Sequence, residues 1–317
     1  MTNKSCVATL PILLLALLLA CGPAGDCVEN DCQNGPGVME FPDGSIYRGQ
    51  FVDGEMVHGM LADADGDIYT GDFADGERNG YGTYNYRETG GTYTGQFQDG
   101  DSEGFGHYGF ANTEFSDTYV GEWKGNVRHG FGEYFHHDDG RRYVGQMRDN
   151  RFEGFGLFER VLKGSIDPYE FRYVGTFKAN QMHGQGVMSW RDGRRFNGEW
   201  LDGQMVRGVL SYEAPHALQG DVYIGPLLDN EPDGDGTYVF RDGRRYTGKF
   251  RSGRFHGQGV LTYPGELVAY LRYVGEFSLG EFHGAGSLYF KDGRIQTGYF
   301  ADGKFIGDTP ATGEEDQ

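Results

Sequence analysis

The sequence lacks the short motifs of common catalytic chemistry. It has no G-x-S-x-G elbow, no Walker phosphate loop, no zinc-finger spacing and no H-E-x-x-H. No segment outside its repeats is long enough to hold a catalytic domain, so we expect no enzymatic activity and no cofactor. Positive charge is scarce as well: 28 Lys and Arg against 47 Asp and Glu give a formal net charge of −19. So acidic a surface repels phosphate, which argues against nucleic-acid partners and against binding to anionic membrane surfaces. The local basic exceptions are the doublets Arg141-Arg142, Arg194-Arg195 and Arg244-Arg245. These are expected to meet carboxylates such as Glu122, Glu199 or Glu276 across strands. Cysteine is scarce too, with four in 317 residues.

One apolar run exists, from Pro11 to Ala20, mostly Leu, with Lys4 ahead of it. It is too short to span a bilayer but has the length of a signal-peptide core. Its end, Leu18-Leu19-Ala20-Cys21, resembles the bacterial lipobox, which implies cleavage before Cys21 and lipid on that cysteine. Residues 1–20 are therefore expected to be a lipoprotein signal peptide, and residues 21–33 a lipidated tether. Asp after the cysteine would favour inner-membrane retention; Gly22 stands there, which points to the outer membrane. The expected location is a bacterial cell envelope, with the membrane reached through the lipid anchor. Cys6 leaves with the signal, and Cys27 and Cys32 remain. An exported compartment permits a disulfide between them.

What the sequence has in excess is glycine, 55 residues, and ring residues, 23 Phe and 21 Tyr. Rings this dense argue against disorder, and regular Gly among them argues for short strands and tight turns. One phrase recurs: Y-x-G-x-[FW]-x-x-[GN]-x-x-[HG]-G-x-G, then a variable stretch that often ends in Asp-Gly. It begins at Tyr47, Tyr69, Tyr93, Tyr119, Tyr143, Tyr173, Phe196, Tyr223, Tyr246, Tyr273 and, degraded, at Gln296; Asn34 to Gly44 is the back half of another copy. Alternation along a strand puts the Tyr, the Gly and the second aromatic on one face. The Gly or Asn seven residues in allows the positive φ of a tight hairpin turn. Each copy is thus a hairpin joined to its successor as a meander. One hairpin cannot bury its aromatic face alone, but stacked copies build a continuous ladder.

This pattern resembles the MORN (membrane occupation and recognition nexus) repeat over about Asn34 to Gly307. The resemblance implies an all-β fold: an elongated, single-layer antiparallel β-meander of stacked hairpins in a twisted open sheet over residues 34–307. About 20 strands spaced ~4.8 Å apart are expected, followed by a disordered acidic tail at 308–317. The resemblance also implies a scaffold that binds an envelope protein through an aromatic groove. The ladder expected to form that surface is Tyr69, Phe73, Tyr93, Phe97, Tyr119, Trp123, Tyr143, Tyr173, Phe177, Phe196, Trp200, Tyr223, Tyr246, Phe250, Tyr273 and Phe277. An envelope glycan, peptidoglycan or lipopolysaccharide, is the alternative partner, because exposed aromatic rows suit sugar faces.

Some copies depart from the phrase. Gly54 to Gly59 and Gly203 to Gly208 read as carrying one extra residue before the Gly and lacking the second Gly. Pro226 falls inside a strand, where a local irregularity is expected. Successive starts alternate short and long, and Tyr173 to Tyr223 and Tyr223 to Tyr273 each span 50 residues. The short connections end alike, in DGRRY, DGRRF, DGRRY and DGRIQ. The long ones are His107–Thr118, Leu157–Arg172, Ser211–Val222 and Thr262–Arg272. They carry Tyr169, Phe171, Leu267 and Tyr270, which a plain turn would not need, so they are candidate contact loops along one edge. His129, His183, His256 and His283 share one repeat position and are read as turn and strand residues, not metal ligands. Asp63-Ala-Asp65-Gly-Asp67 resembles a calcium loop but lacks the Glu at its twelfth position, and we expect no metal site.

Overall fold

The computed structural model describes residues 25–110, 117–161, 169–265 and 268–309. The expected signal peptide, Cys21, Leu267 and residues 310–317 lie outside these. The described chain is all-β, with 25 strands, no helix, and antiparallel pairing into an open sheet. Two compact units divide it, one of Met1–Asp139 with Gln146–Arg151 and one of Gly140–Gly145 with Phe152–Gln317.

The first unit holds β1 (Asp26–Glu29), β2 (Gly35–Glu40), β3 (Ile46–Val52), β4 (Glu55–Ala62), β5 (Ile68–Ala74), β6 (Glu77–Asn85), β7 (Gly91–Gln98), β8 (Asp101–Phe110), β9 (Thr118–Lys124) and β10 (Val127–His136). After β11 (Arg141–Arg148) and β12 (Arg151–Val161) come β13 (Tyr169–Lys178), β14 (Gln181–Trp190), β15 (Arg194–Leu201), β16 (Gln204–Tyr212) and β17 (Val222–Leu228). The second unit ends with β18 (Glu231–Pro232), β19 (Gly234–Val239), β20 (Arg245–Arg251), β21 (Arg254–Thr262), β22 (Tyr270–Ser278), β23 (Glu281–Phe290), β24 (Ile295–Ala301) and β25 (Lys304–Gly307).

Each copy pairs an outgoing strand with a return strand. In β5–β6 Tyr69 faces Tyr84 and Gly71 faces Gly82; β7–β8 repeats this with Tyr93 against Tyr108 and Gly95 against Gly106. The turns between have two residues, both left-handed: Asp75-Gly76 at φ 51° and 77°, Asp99-Gly100 at 49° and 86°, Ala179-Asn180 at 49° and 72°. Two successive left-handed residues are the type I′ pattern, whose twist matches that of the paired strands. The repeated Gly or Asn is the second of these residues. The first is usually Asp, as at Asp53, Asp75, Asp99, Asp149, Asp202, Asp229 and Asp302.

After the turn, three residues of the return strand, Asn79 to Tyr81, oppose the single residue Asp72. This bulge accounts for the first Gly of each G-x-G. Gly80 has φ 77°, and a Cβ on it would lie 2.9 Å from Asp72 Oδ2. The second, Gly82, keeps the sheet thin under the Tyr69 ring: a Cβ there would lie 2.4 Å from the ring.

The two irregular copies differ from expectation. Gly59 and Gly208 are the second glycines, paired with Gly49 and Gly198. These copies lack the first glycine and are one residue shorter, so their bulges shrink to Val57 and Val206. Pro226 has no N–H to give its neighbour, and the return strand opposite breaks into β18 and β19. Inside the segment 21–33, β1 pairs with β2, Asp26 facing Glu40 and Cys27 facing Met39. Cys27 and Cys32 are disulfide-bonded there, and Cys32 is buried beside Phe51.

The long connections are also shorter than they look in sequence. Strand pairing runs on through Arg160 against Phe171 and Val161 against Tyr169, because alternating rings extend the ladder. Tyr169, Phe171 and Tyr270 are therefore strand residues, not loop residues. Phe171 packs on Phe158 with ring centroids 5.5 Å apart, and Tyr270 packs on Tyr263 at 4.9 Å.

Candidate functional site

The ladder is the interior of the sheet's inner face. Tyr69, Tyr93, Tyr119, Tyr143, Tyr173, Phe196, Tyr223, Tyr246 and Tyr273 are exposed by 1% or less, and Phe73, Phe97, Phe177, Trp200, Phe250 and Phe277 are also buried. Only Trp123 of the expected set is half-buried. The expectation that these rings form the contact surface is corrected: the two-strand spacing of the copies lets each ring cover its neighbour. Tyr69 meets Phe73 of its own copy at 5.1 Å and Phe97 of the next at 4.9 Å, both edge to face. Tyr173 stands in the same way between Phe177 and Trp200. These are preferred aromatic geometries, and the rings contribute core energy.

The hydroxyls of Tyr47, Tyr69, Tyr93, Tyr119, Tyr173, Tyr223, Tyr246 and Tyr273 each donate to a backbone carbonyl three residues on. Tyr69 reaches Asp72 O at 2.8 Å, Tyr173 reaches Thr176 O at 3.0 Å, and Tyr246 reaches Lys249 O at 2.8 Å. Burial pushes the phenols of Tyr47, Tyr69, Tyr119, Tyr173, Tyr246 and Tyr273 up to about 12. Phe196 takes the ladder place in its copy and has no hydroxyl to donate.

Surface on the inner face comes from a second row. In the first unit Tyr84, Tyr86, Tyr108 and Trp123 are partly buried against the core. Tyr84 and Tyr86 have centroids 4.5 Å apart, and Tyr108 lies 6.2 Å from Trp123. Arg78 lies over Tyr84 at 4.7 Å, and the Tyr84 hydroxyl donates to Asp67 Oδ2 at 2.9 Å. Burial, then the bond to Asp67, pushes that phenol well up.

The Asp-Gly-Arg turns are ring clamps. Arg194, Arg244 and Arg294 lie over Trp190, Phe240 and Phe290 at 5.0, 4.2 and 4.5 Å. Each donates Nε to the Asp two residues before it, at 2.8, 2.8 and 2.7 Å. Hydrogen bonds from Arg244 and Arg294 hold the Asp242 and Asp292 carboxyls below their ordinary value. The expectation of cross-strand partners is corrected for Arg194 and Arg244, which bond within their own turns, whereas Arg142 of β11 does reach a carboxylate across strands, buried Glu159 of β12 at 2.9 Å. A turn Asp two residues away reaches the guanidinium with less loss of freedom than a carboxylate on another strand.

The acidic turn at Asp63 is held by backbone. Asp63 Oδ1 accepts from the N–H groups of Asp65, Gly66 and Asp67 at 2.9–3.1 Å. His129 lies 4.0 Å from Asp149, and His183 lies 3.5 Å from Asp202. No group of three potential metal-ligating side chains occurs among the described residues.

Sequence reasoning overlooked a row on the opposite face. Tyr81, Phe105 and Phe131 sit between the two glycines of consecutive copies, and strand alternation turns them away from the ladder, since the glycine after each lies under a ladder ring. They are 60, 59 and 54% exposed. The readable signal was G-Y-G, G-F-G, G-F-G and G-F-G in four successive copies, the fourth at Phe155 in the second unit, where Gln185, Asp235, Gln258 and Ala285 occupy later ones.

The family model described as "MORN repeat" matches eleven segments, 29–46, 47–68, 69–88, 93–113, 119–141, 143–161, 173–194, 196–213, 223–244, 246–266 and 273–293. The chain belongs to this family of MORN-repeat proteins. No curated protein matches the chain at a significant level. Among solved structures, the SAS-4 (dCPAP) TCP domain of Drosophila melanogaster, in complex with a proline-rich motif of Ana2 (dSTIL), is similar to 60% of this chain and 96% of its own. The identity is 15% and the TM-score 0.33, too loose a likeness to argue from.

Proposed function

We propose that the chain is a non-enzymatic, lipid-anchored scaffold that binds a protein partner in a bacterial cell envelope. The observation that supports this best is the allocation of side chains. Eleven matched MORN copies run from residue 29 to residue 293, and the ladder rings, paired glycines and turn residues of those copies are spent on holding a sheet. Repeat sheets of this kind present extended surfaces to partners. With the ladder interior, the inner-face contact surface falls to Tyr84, Tyr86, Tyr108 and Trp123. The lipobox resemblance at Leu18–Cys21 supports the anchor, and Gly22 supports the outer membrane.

Cross-linking in intact cells of the native host, with Cys21→Ser as control, tests both parts. One or two dominant envelope proteins, lost in the control, are expected. Cross-links unchanged by Cys21→Ser would remove the anchor from the proposal. Capture of glycan fragments in place of protein would remove the protein partner.

A further inference from the structure

The outer face of the first unit carries three exposed rings in register, on β6, β8 and β10. Alternate strands put them about 10 Å apart. Beside each ring stands an acceptor from the neighbouring outgoing strand. Asp72 Oδ2 accepts from Tyr81 N at 3.2 Å, Gln96 Oε1 from Phe105 N at 2.9 Å, and Glu122 Oε1 from Phe131 N at 3.1 Å. The bulge thus seats a carboxylate or amide at the foot of each outward ring. Asp72 is also bonded to His58 Nδ1 at 2.8 Å, which holds its carboxyl below the ordinary value.

The same molecule shows what a ring with an adjacent carboxylate takes. In the second unit, Arg194, Arg244 and Arg294 each lie over a ring while an Asp accepts Nε. On the outer face, Tyr81 with Asp72 and Phe131 with Glu122 repeat the ring and the carboxylate, and no arginine of the described residues stacks on them. The charge of the chain, −19, favours a cationic visitor.

We propose that this outer face docks an extended, arginine-bearing segment of a partner protein, with guanidinium groups over Tyr81, Phe105 and Phe131. An extended chain in the polyproline II conformation advances ~3.1 Å per residue with three residues per turn, so arginines at every third residue share one face and recur about every 9 Å, close to the spacing of rings about 10 Å apart. Guanidinium suits the site better than ammonium, since it stacks on a ring face and presents its N–H groups to a carboxylate at once. Phe105, with Gln96 in place of a carboxylate, is the weaker of the three positions. This surface lies opposite the inner-face row named above, so it stands or falls apart from that row and from the anchor.

The test is titration of the full chain with a nine-residue peptide bearing Arg at every third position. The comparison peptides are the citrulline and lysine versions and one with its arginines contiguous. We expect saturable binding that weakens at least tenfold in the citrulline version, and severalfold in the lysine and contiguous versions. A Tyr81→Ser/Phe105→Ser/Phe131→Ser variant, which alters only exposed side chains, should lose at least tenfold. Asp72→Asn/Glu122→Gln should also lose affinity and flatten its salt dependence. Failure to bind overturns the proposal, as does equal affinity in the ring variant, which would mean general attraction to an acidic chain. A β-linked glycan oligomer that binds in a ring-dependent way where the arginine peptide does not would assign the row to sugars and overturn it equally.

Discussion

Leu279 is the residue most at odds with its place. It is the first residue of the β22–β23 turn, at φ 52°, and is 71% exposed. Left-handed backbone costs a residue with a Cβ roughly 1–2 kcal/mol, and Asn tolerates it better. Leu279→Asn should raise the urea midpoint of the second unit, by about 0.5–1 kcal/mol. Phe196 offers the second gain. Its ring fills a ladder place where Tyr would find a carbonyl, that of Glu199, as Tyr173 finds Thr176 O at 3.0 Å. Phe196→Tyr should stabilise by about 1 kcal/mol in the same measurement. Gly175 marks the opposite limit. A Cβ there would lie 2.4 Å from Tyr173 Oη and 2.6 Å from Gly186 Cα. Gly175→Ala should cost about 1–3 kcal/mol or more, because the ring cannot rise without leaving Phe177 and Trp200.

At the scale of the element, hairpin tips are stapled to the copy before them. The second turn residue donates its N–H backward: Gly100 to Arg78 O at 3.0 Å, Asn126 to Ser102 O at 3.1 Å, Gly203 to Met182 O at 2.9 Å, Gly280 to Phe255 O at 3.0 Å. At Asn126, Asn150 and Asn180 the side chain adds a second bond. Asn126 Oδ1 accepts from Ser102 N, and Asn180 Oδ1 from Phe152 N, each at 2.7 Å. Asn126→Gly keeps the φ of 64° within reach but loses this bond. Amide exchange at Ser102 should quicken several-fold, with global stability lowered by about 1 kcal/mol or less. The Asn at a tip was legible as a turn former, but its bond to the preceding copy was not, since that depends on how hairpins stack. The bulge was hidden for a similar reason. G-x-G shows two glycines alike, yet Gly80 serves a left-handed backbone and Gly82 makes room for a ring.

For the molecule as a whole, repetition makes stability a sum over copies and their contacts with neighbours. Burial also raises the ladder phenols above the ordinary ~10 of an unfolded Tyr, those of Tyr47, Tyr69, Tyr173 and Tyr273 to about 12 and those of Tyr93 and Tyr223 further. The stabilisation they provide is therefore complete below pH ~10 and is lost as pH rises through the folded value near 12. Denaturation midpoints should hold steady up to about pH 10 and fall beyond it. Tyrosinate absorbance from the ladder should appear together with loss of strand signal; ionisation of the ladder while the sheet persisted would contradict this burial.

The sequence by itself determined the all-β class, the hairpin unit and the shared face of Tyr, Gly and second aromatic, because strand alternation and turn dihedrals are local. It also pointed to Cys27 and Cys32 as a pair. Tertiary structure decided which rings remain at the surface. Alternation says that Tyr69 and Phe73 share a face, but only the stacking of the next copy, with Phe97 set against Tyr69, takes that face out of water. In the same way, only the three-against-one bulge sets the Tyr81 N–H against the Asp72 carboxylate, since that geometry belongs to two strands in register and not to either alone.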